Sequence, residues 1–220
     1  MPTSFYDHIP TVCSVVSQFA PRSILDVGIG FGKWGHLFRE QVDILASDAD
    51  PARYHRENWK GRIDGIEGFA PYVTDMHRFL YDRIHVGNML DVIKTVDKYD
   101  VIFMGDVIEH VEKPAGEQFI RDALARANRA LVVSTPAYDI EQHDVCGNPL
   151  EDHRSFWTAA DFRRIGDVTI RRVGFQILLA IFTQPGVPRP SFPNPVKTAV
   201  RSSLIRMIGM PRYRKLRGLR

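Results

Sequence analysis

From residue 26 to residue 35 the chain reads Asp-Val-Gly-Ile-Gly-Phe-Gly-Lys-Trp-Gly. Glycine at 28, 30 and 32 lets the backbone take dihedrals that other residues avoid and lets it approach a ligand closely. An apolar run, Ser23–Val27, enters this cluster, and helical spacing leaves it. Unpaired N–H groups at a helix start therefore face the same place. A dinucleotide fingerprint would need glycine at position 33, which holds Lys33. Asp26, two positions before the first glycine, would repel a pyrophosphate, whereas it suits a cationic ligand.

Other residues of chemical interest recur at the ends of apolar runs. Glu67 ends one, and a carboxylate there can accept hydrogen bonds from both hydroxyls of a ribose. Asp48 competes for that role: it lies 20 residues beyond Gly28, whereas Glu67 lies 39 beyond. Glu67 is preferred because it precedes Asn88 by 21 residues, against 40 for Asp48. Asn88 and Met89 follow the next run, and Asn88 offers an acceptor oxygen without a charge. Asp106, Glu109 and His110 follow the one after. His143 and His153 lie in a long polar stretch, 138–157. Histidine can act as a base near neutral pH, so His110 and His153 are the candidate catalytic groups. The plainer readings are a helix-starting Glu109–His110 pair and a His153 bonded within its own loop.

These residues need a scaffold of alternating elements. Apolar residues at 9, 12, 15, 16 and 19 predict a helix over 6–19, and Pro21 ends it. Short apolar runs predict parallel strands at Ser23–Val27, Arg62–Glu67, Arg83–Val86, 99–104 and 130–134. Helices are expected over 34–41, 72–81 and 117–128, with a short one capped by Thr158. Residues 42–62 read as an insertion, which makes Arg62–Glu67 the second strand. Runs at 168–172 and 176–183, joined across Gly174, resemble a terminal hairpin. The expected fold is α/β: a doubly wound, mostly parallel seven-stranded sheet with a C-terminal antiparallel hairpin. Ligands of such sheets bind at the carboxyl ends of the strands, where strand order reverses.

Size and composition limit the alternatives. The 220 residues suffice for one core. Hydrophobic residues at 44% and charged residues at 25% fit a soluble protein. No secretory signal or membrane span is evident. Cys13 and Cys146 stand far apart in no metal-like spacing, which suits a reducing cytoplasmic setting. The net charge of +3 conceals an asymmetry: residues 189–220 hold nine basic residues and no acid. We divide the chain into a domain over 1–184, a proline-rich linker over 185–195 and a basic amphipathic tail over 196–220. The tail's apolar face, Val196, Val200, Leu204, Ile205 and Ile208, suits packing on the body first. Next comes an anionic membrane surface, which would make the protein peripheral to the membrane. Nucleic acid is not expected as a partner.

The glycine stretch, the strand-end acids and the segment 104–111 together resemble the class I S-adenosylmethionine (SAM)-dependent methyltransferases, over roughly residues 20–183. The likeness is nearest to small bacterial members with the elements Gly30–Gly35, Asp64–Glu67, Gly105–His110, Ser134–Pro136 and His153–Trp157. It implies a Rossmann-like methyltransferase fold with SAM as cofactor. Asp26, Gly28, Gly30 and Gly32 would hold the methionine end. Glu67 would hold the ribose, and Asn88 and Met89 the adenine. Asp106 would lie beside the sulfonium. The kind of protein resembled suggests a small-molecule, sugar or lipid-linked glycan acceptor. No metal ligands are assigned. Alternatives are a nicotinamide dehydrogenase, which Lys33 disfavours, and a non-catalytic SAM-binding module. A third is a metal-dependent enzyme like the small-RNA 2′-O-methyltransferases, which Glu109-His110, then Asp152-His153-Arg154 and Phe156-Trp157-Thr158, faintly resemble, with Asp106 in place of a glutamate.

Overall fold

The computed structural model describes residues 4–45, 50–143 and 147–192, together with Arg206, Met207, Gly209 and Arg212. The chain divides into residues 1–189 and 190–220, and every strand lies in the first part. Except for those four residues, the basic tail over 196–220 lies outside the described residues, as does Asp48. Among the described residues, no helix is long and apolar enough to cross a membrane.

Helix α1 (Ile9–Gln18) leads into β1 (Ser23–Val27), α2 (Lys33–Arg39), β2 (Arg62–Glu67), α3 (Asp75–Leu80) and β3 (Arg83–Val86). Then come α4 (Met89–Thr95), β4 (Tyr99–Gly105), α5 (Lys113–Arg126), β5 (Ala127–Pro136) and α6 (Ala159–Ile165). Strands β6 (Val168–Val173) and β7 (Ile177–Thr183) close the fold. The seven strands form one sheet in the order β3-β2-β1-β4-β5-β7-β6. The first five are parallel, while β7 runs antiparallel to both β5 and β6. Strand order reverses between β1 and β4, so the crevice at their carboxyl ends is the place for a ligand. β1 and β4 are buried on both faces, as Ile24, Leu25, Val27 and Val101–Met104 require.

The second strand is Arg62–Glu67, in register with β1 from Ser23↔Arg62 to Val27↔Ile66. What precedes it is an insertion of short helical turns, held by Arg39. That buried guanidinium donates to Asp43 at 2.8 Å, to Asp82 at 2.9 Å and to the carbonyls of Gly61 and Leu80. It also lies 4.4 Å over the Trp59 ring. A charge out of water survives when it is paired and fully hydrogen-bonded in this way.

Several elements differ from the sequence reading, three of them near the site. The helix expected over 72–81 begins only at Asp75, where Thr74 and His77 form a capping box. Helix α5 begins at Lys113, four residues early, because Pro114 is accommodated in its first turn. Helix α4 is unforeseen; Asn88 caps it by accepting from the Leu90 N–H at 2.9 Å.

Candidate functional site

A cavity of about 750 Å³ opens at the carboxyl ends of β1, β2, β4 and β5. Its floor is the glycine loop. Gly28, Gly30 and Gly32 have φ of +75°, +49° and +86°, values that side chains rarely tolerate. At Gly28 a Cβ would also fall 2.4 Å from a Val107 methyl. The loop is clamped from both sides. Glu67 Oε2 accepts the Gly30 N–H at 3.1 Å, and its Oε1 accepts the Phe69 N–H at 2.8 Å. On the other side His77 Nε2 meets the Gly30 carbonyl at 2.9 Å. Because His77 Nδ1 accepts the Thr74 N–H at 3.1 Å, the ring proton sits on Nε2, which donates to Gly30. Burial lowers the His77 pKa and so favours this neutral form. Sequence reading missed His77; the Thr74–His77 capping spacing was the available signal.

Two expected cofactor contacts are corrected. Asp26 is fully buried and does not line the cavity. Its Oδ2 accepts from the Tyr81 hydroxyl at 2.6 Å, its Oδ1 has no partner among the described residues, and burial pushes its pKa up to about 7. It therefore supports the loop from behind. Gly32 likewise is absent from the cavity wall: it caps α2 and packs against the His77 ring.

The remaining expected residues do line the cavity. Gly28 and Gly30 form its floor, with Glu67, Asn88 and Met89 towards β2 and α4. Asp106 has a φ of +55°, which turns the chain out of β4. Its Oδ1 accepts from the Ser134 hydroxyl at 3.2 Å, and the Ser4 hydroxyl and Phe5 N–H also face the carboxylate. Its buried Oδ2 has no partner among the described residues, and burial raises its pKa to about 6. A carboxylate with a spare oxygen fits the ammonium group of SAM. Glu67, at a strand end beside the glycine loop, fits its ribose. The donor set thus suits the cofactor that the sequence implied.

At the far end of the cavity Glu109, His110 and His153 come together, with ligand atoms all within 4.8 Å of one another. The imidazole rings lie 4.9 Å apart. His110 Nδ1 lies 3.2 Å from the Asp152 carbonyl, and His153 Nδ1 lies 2.6 Å from the Ile140 carbonyl. Carbonyl oxygen only accepts, so both Nδ1 atoms carry a proton, which leaves Nε2 as the basic nitrogen of a neutral ring. Burial, then the neighbouring His153, lowers the His110 pKa. Glu109 accepts from the Thr135 hydroxyl at 3.1 Å, and burial followed by the charge of Asp106 raises its pKa. Asp106 stands apart from this cluster, whereas the resemblance to the metal-dependent enzymes would have had it join. Glu151, unforeseen from sequence, is a buried carboxylate of the same wall; the Tyr72 hydroxyl donates to it at 3.3 Å.

A sheet of this order, with a glycine loop and an acid at the end of β2, defines a Rossmann-like α/β nucleotide-binding fold. The family described as "Methyltransferase domain" matches residues 7–179, and the chain belongs to it. It is a SAM-dependent methyltransferase. Among solved structures the chain is similar to DhpI in complex with SAM and HEP: 12% identity, TM-score 0.57, covering 82% of this chain and 89% of that one. DhpI with SAH, the demethylated cofactor, matches at 14% identity with a TM-score of 0.53, covering 83% and 87%. The methyltransferase domain of a bacterial Hen1 (CtHen1) matches at 17% identity with a TM-score of 0.52, covering 81% and 98%. At such identities the likeness is one of fold. No curated protein sequence matches the chain.

Proposed function

We propose that the enzyme methylates an oxygen of a hydroxylated small molecule, a sugar or a lipid-linked glycan, with His110 and His153 as the bases. One observation carries this reading. Two imidazoles, each held by a backbone carbonyl at Nδ1, come together with Glu109 at one place in the cavity. SAM, when bound, supplies an electrophilic methyl on a sulfonium that leaves as a neutral thioether. The acceptor oxygen forms the new bond to that carbon, and its proton passes to an imidazole Nε2. Glu67 orients the ribose, with Asn88 and Met89 at the adenine. Asp106 Oδ2 takes the ammonium end. Alignment, with water kept out, supplies most of what the protein adds.

Labelled SAM incubated with fractionated extract, followed by identification of the product, tests the reading. Label on a hydroxyl oxygen supports it. Label only on nitrogen or carbon overturns the acceptor class.

A second reading is favoured by the same cluster: a divalent cation on Glu109, His110 and His153 that lowers the pKa of the acceptor hydroxyl. Electrostatics favour it, since among the described residues lining the cavity the acids Glu67, Asp106, Glu109, Glu112 and Glu151 outnumber Lys33 and Arg154. Metal content of untagged protein and activity after chelation test it. Full activity without metal removes it.

A further inference from the structure

Lys33 stands where a dinucleotide fingerprint has glycine, and the proposed chemistry does not use it. It opens α2 and lines the cavity. Its ammonium donates to the Ser4 carbonyl and lies 4.6 Å over the Tyr6 ring. Beside it, Trp34 Nε1 donates to the Ser4 hydroxyl at 3.1 Å. Asp106 faces the same segment through the Ser4 hydroxyl and the Phe5 N–H. His8, fully buried, roots the segment: its ring lies 5.2 Å from Trp34 and its Nε2 lies 3.4 Å from the Ser134 hydroxyl.

Ser4, Phe5 and Tyr6 all line the cavity, yet Tyr6 is 73% exposed. No strand or helix holds these three residues. Besides the Ile9 N–H donated to the Tyr6 carbonyl at 3.1 Å, they are held by contacts with the side chains of Lys33, Trp34 and Asp106, and Lys33 supplies two of these. Burial works against the charge of Lys33, while Asp106 supports it. A partly desolvated ammonium retained at such a position has a partner to hold.

We propose that Lys33 is a positioning residue that latches residues 4–6 across the cavity, so that Phe5 and Tyr6 wall in the bound cofactor and exclude water from the transfer. The inference rests on the reading of the cavity as the SAM and acceptor site. The latch acts through the segment; Lys33 itself touches no reacting atom.

The test follows release of SAH by stopped flow, with amide exchange of residues 4–8 in the ligand-free protein. Lys33→Met keeps the aliphatic stem and removes the charge. It should release SAH about tenfold faster and expose the Phe5 and Tyr6 amides. Lys33→Arg keeps a cation over the ring and should restore slow release. Tyr6→Ala should resemble Lys33→Met, and the double variant should be no worse than the poorer single one, as for two ends of one contact. Faster amide exchange with unchanged SAH release would overturn the positioning role while leaving the cofactor site intact. Equal defects in Lys33→Arg and Lys33→Met would overturn it too. A wild-type chain that fails to retain SAH would contradict the cavity assignment, and the latch with it.

Discussion

Glu67 is where the cofactor assignment can be weighed in numbers. Its carboxylate is 5% exposed, and it holds the Gly30 and Phe69 amides at 3.1 and 2.8 Å. In the proposed complex it also accepts from two ribose hydroxyls. Hydrogen bonds to a charged group contribute about 1.5–3 kcal/mol each. Taking the lower figure for the two ribose bonds gives about 3 kcal/mol, or about 100-fold in affinity. Glu67→Ala should therefore weaken SAH binding by about that factor in a calorimetric titration. Glu67→Gln keeps one acceptor oxygen and should lose about tenfold. Stability should change less than affinity, because burial already raises the pKa of this carboxyl and removing it relieves that penalty. A loss of about 1 kcal/mol would lower the melting temperature of a chain this size by about 2–4 °C. If both variants bind SAH within about threefold of wild type, the ribose is held elsewhere and the assignment of Glu67 fails.

Three further outcomes follow from the geometry. At Gly35 a Cβ would fall 2.3 Å from the Tyr81 hydroxyl. Gly35→Ala should cost about 1–3 kcal/mol in urea unfolding and weaken SAH binding by displacing Tyr81 from Asp26; a neutral effect would refute that coupling. Burial keeps Asp26 protonated up to about pH 7 in the folded chain, against about 4 unfolded. The folded state thus holds an extra proton between those values, so this contribution to stability is complete at low pH and is lost as pH rises through the folded value. Asp26→Asn should gain stability relative to wild type as pH rises from about 4 to about 7 and hold that gain above, and parallel stability curves would refute the raised pKa. Finally, His110→Ala and His153→Ala should each lower kcat by about 100-fold or more while leaving SAH affinity unchanged. Near-normal turnover in both would remove them from the chemistry.

The sheet was legible in the sequence where its strands are short apolar runs buried on both faces, as in Ser23–Val27, Tyr99–Gly105 and Ala127–Pro136. The insertion before β2 resolved correctly because Arg62–Glu67 leads without interruption into the next helix and strand. Helix α4 was hidden: Met89–Thr95 spans under two turns, and its cap, Asn88, had been read only as a ligand contact. The cavity wall was legible where an acid ends a strand, as for Glu67, which lines the cavity. It was not legible where role depends on which way a side chain turns. Asp26 and Gly32 sit in the motif yet face the protein interior. His77 and Glu151 sit in unremarkable sequence yet face the loop and the cavity, because the capping turn at Thr74 and the fold of 147–155 aim them there.

The account stands or falls on where the nucleoside lies, which a crystal structure of the chain grown with SAH would show. It should place both ribose hydroxyls about 3 Å from the Glu67 carboxylate, with the sulfur turned towards His110 and His153. A nucleoside bound away from the glycine loop, or with its ribose on a different acid, would contradict it.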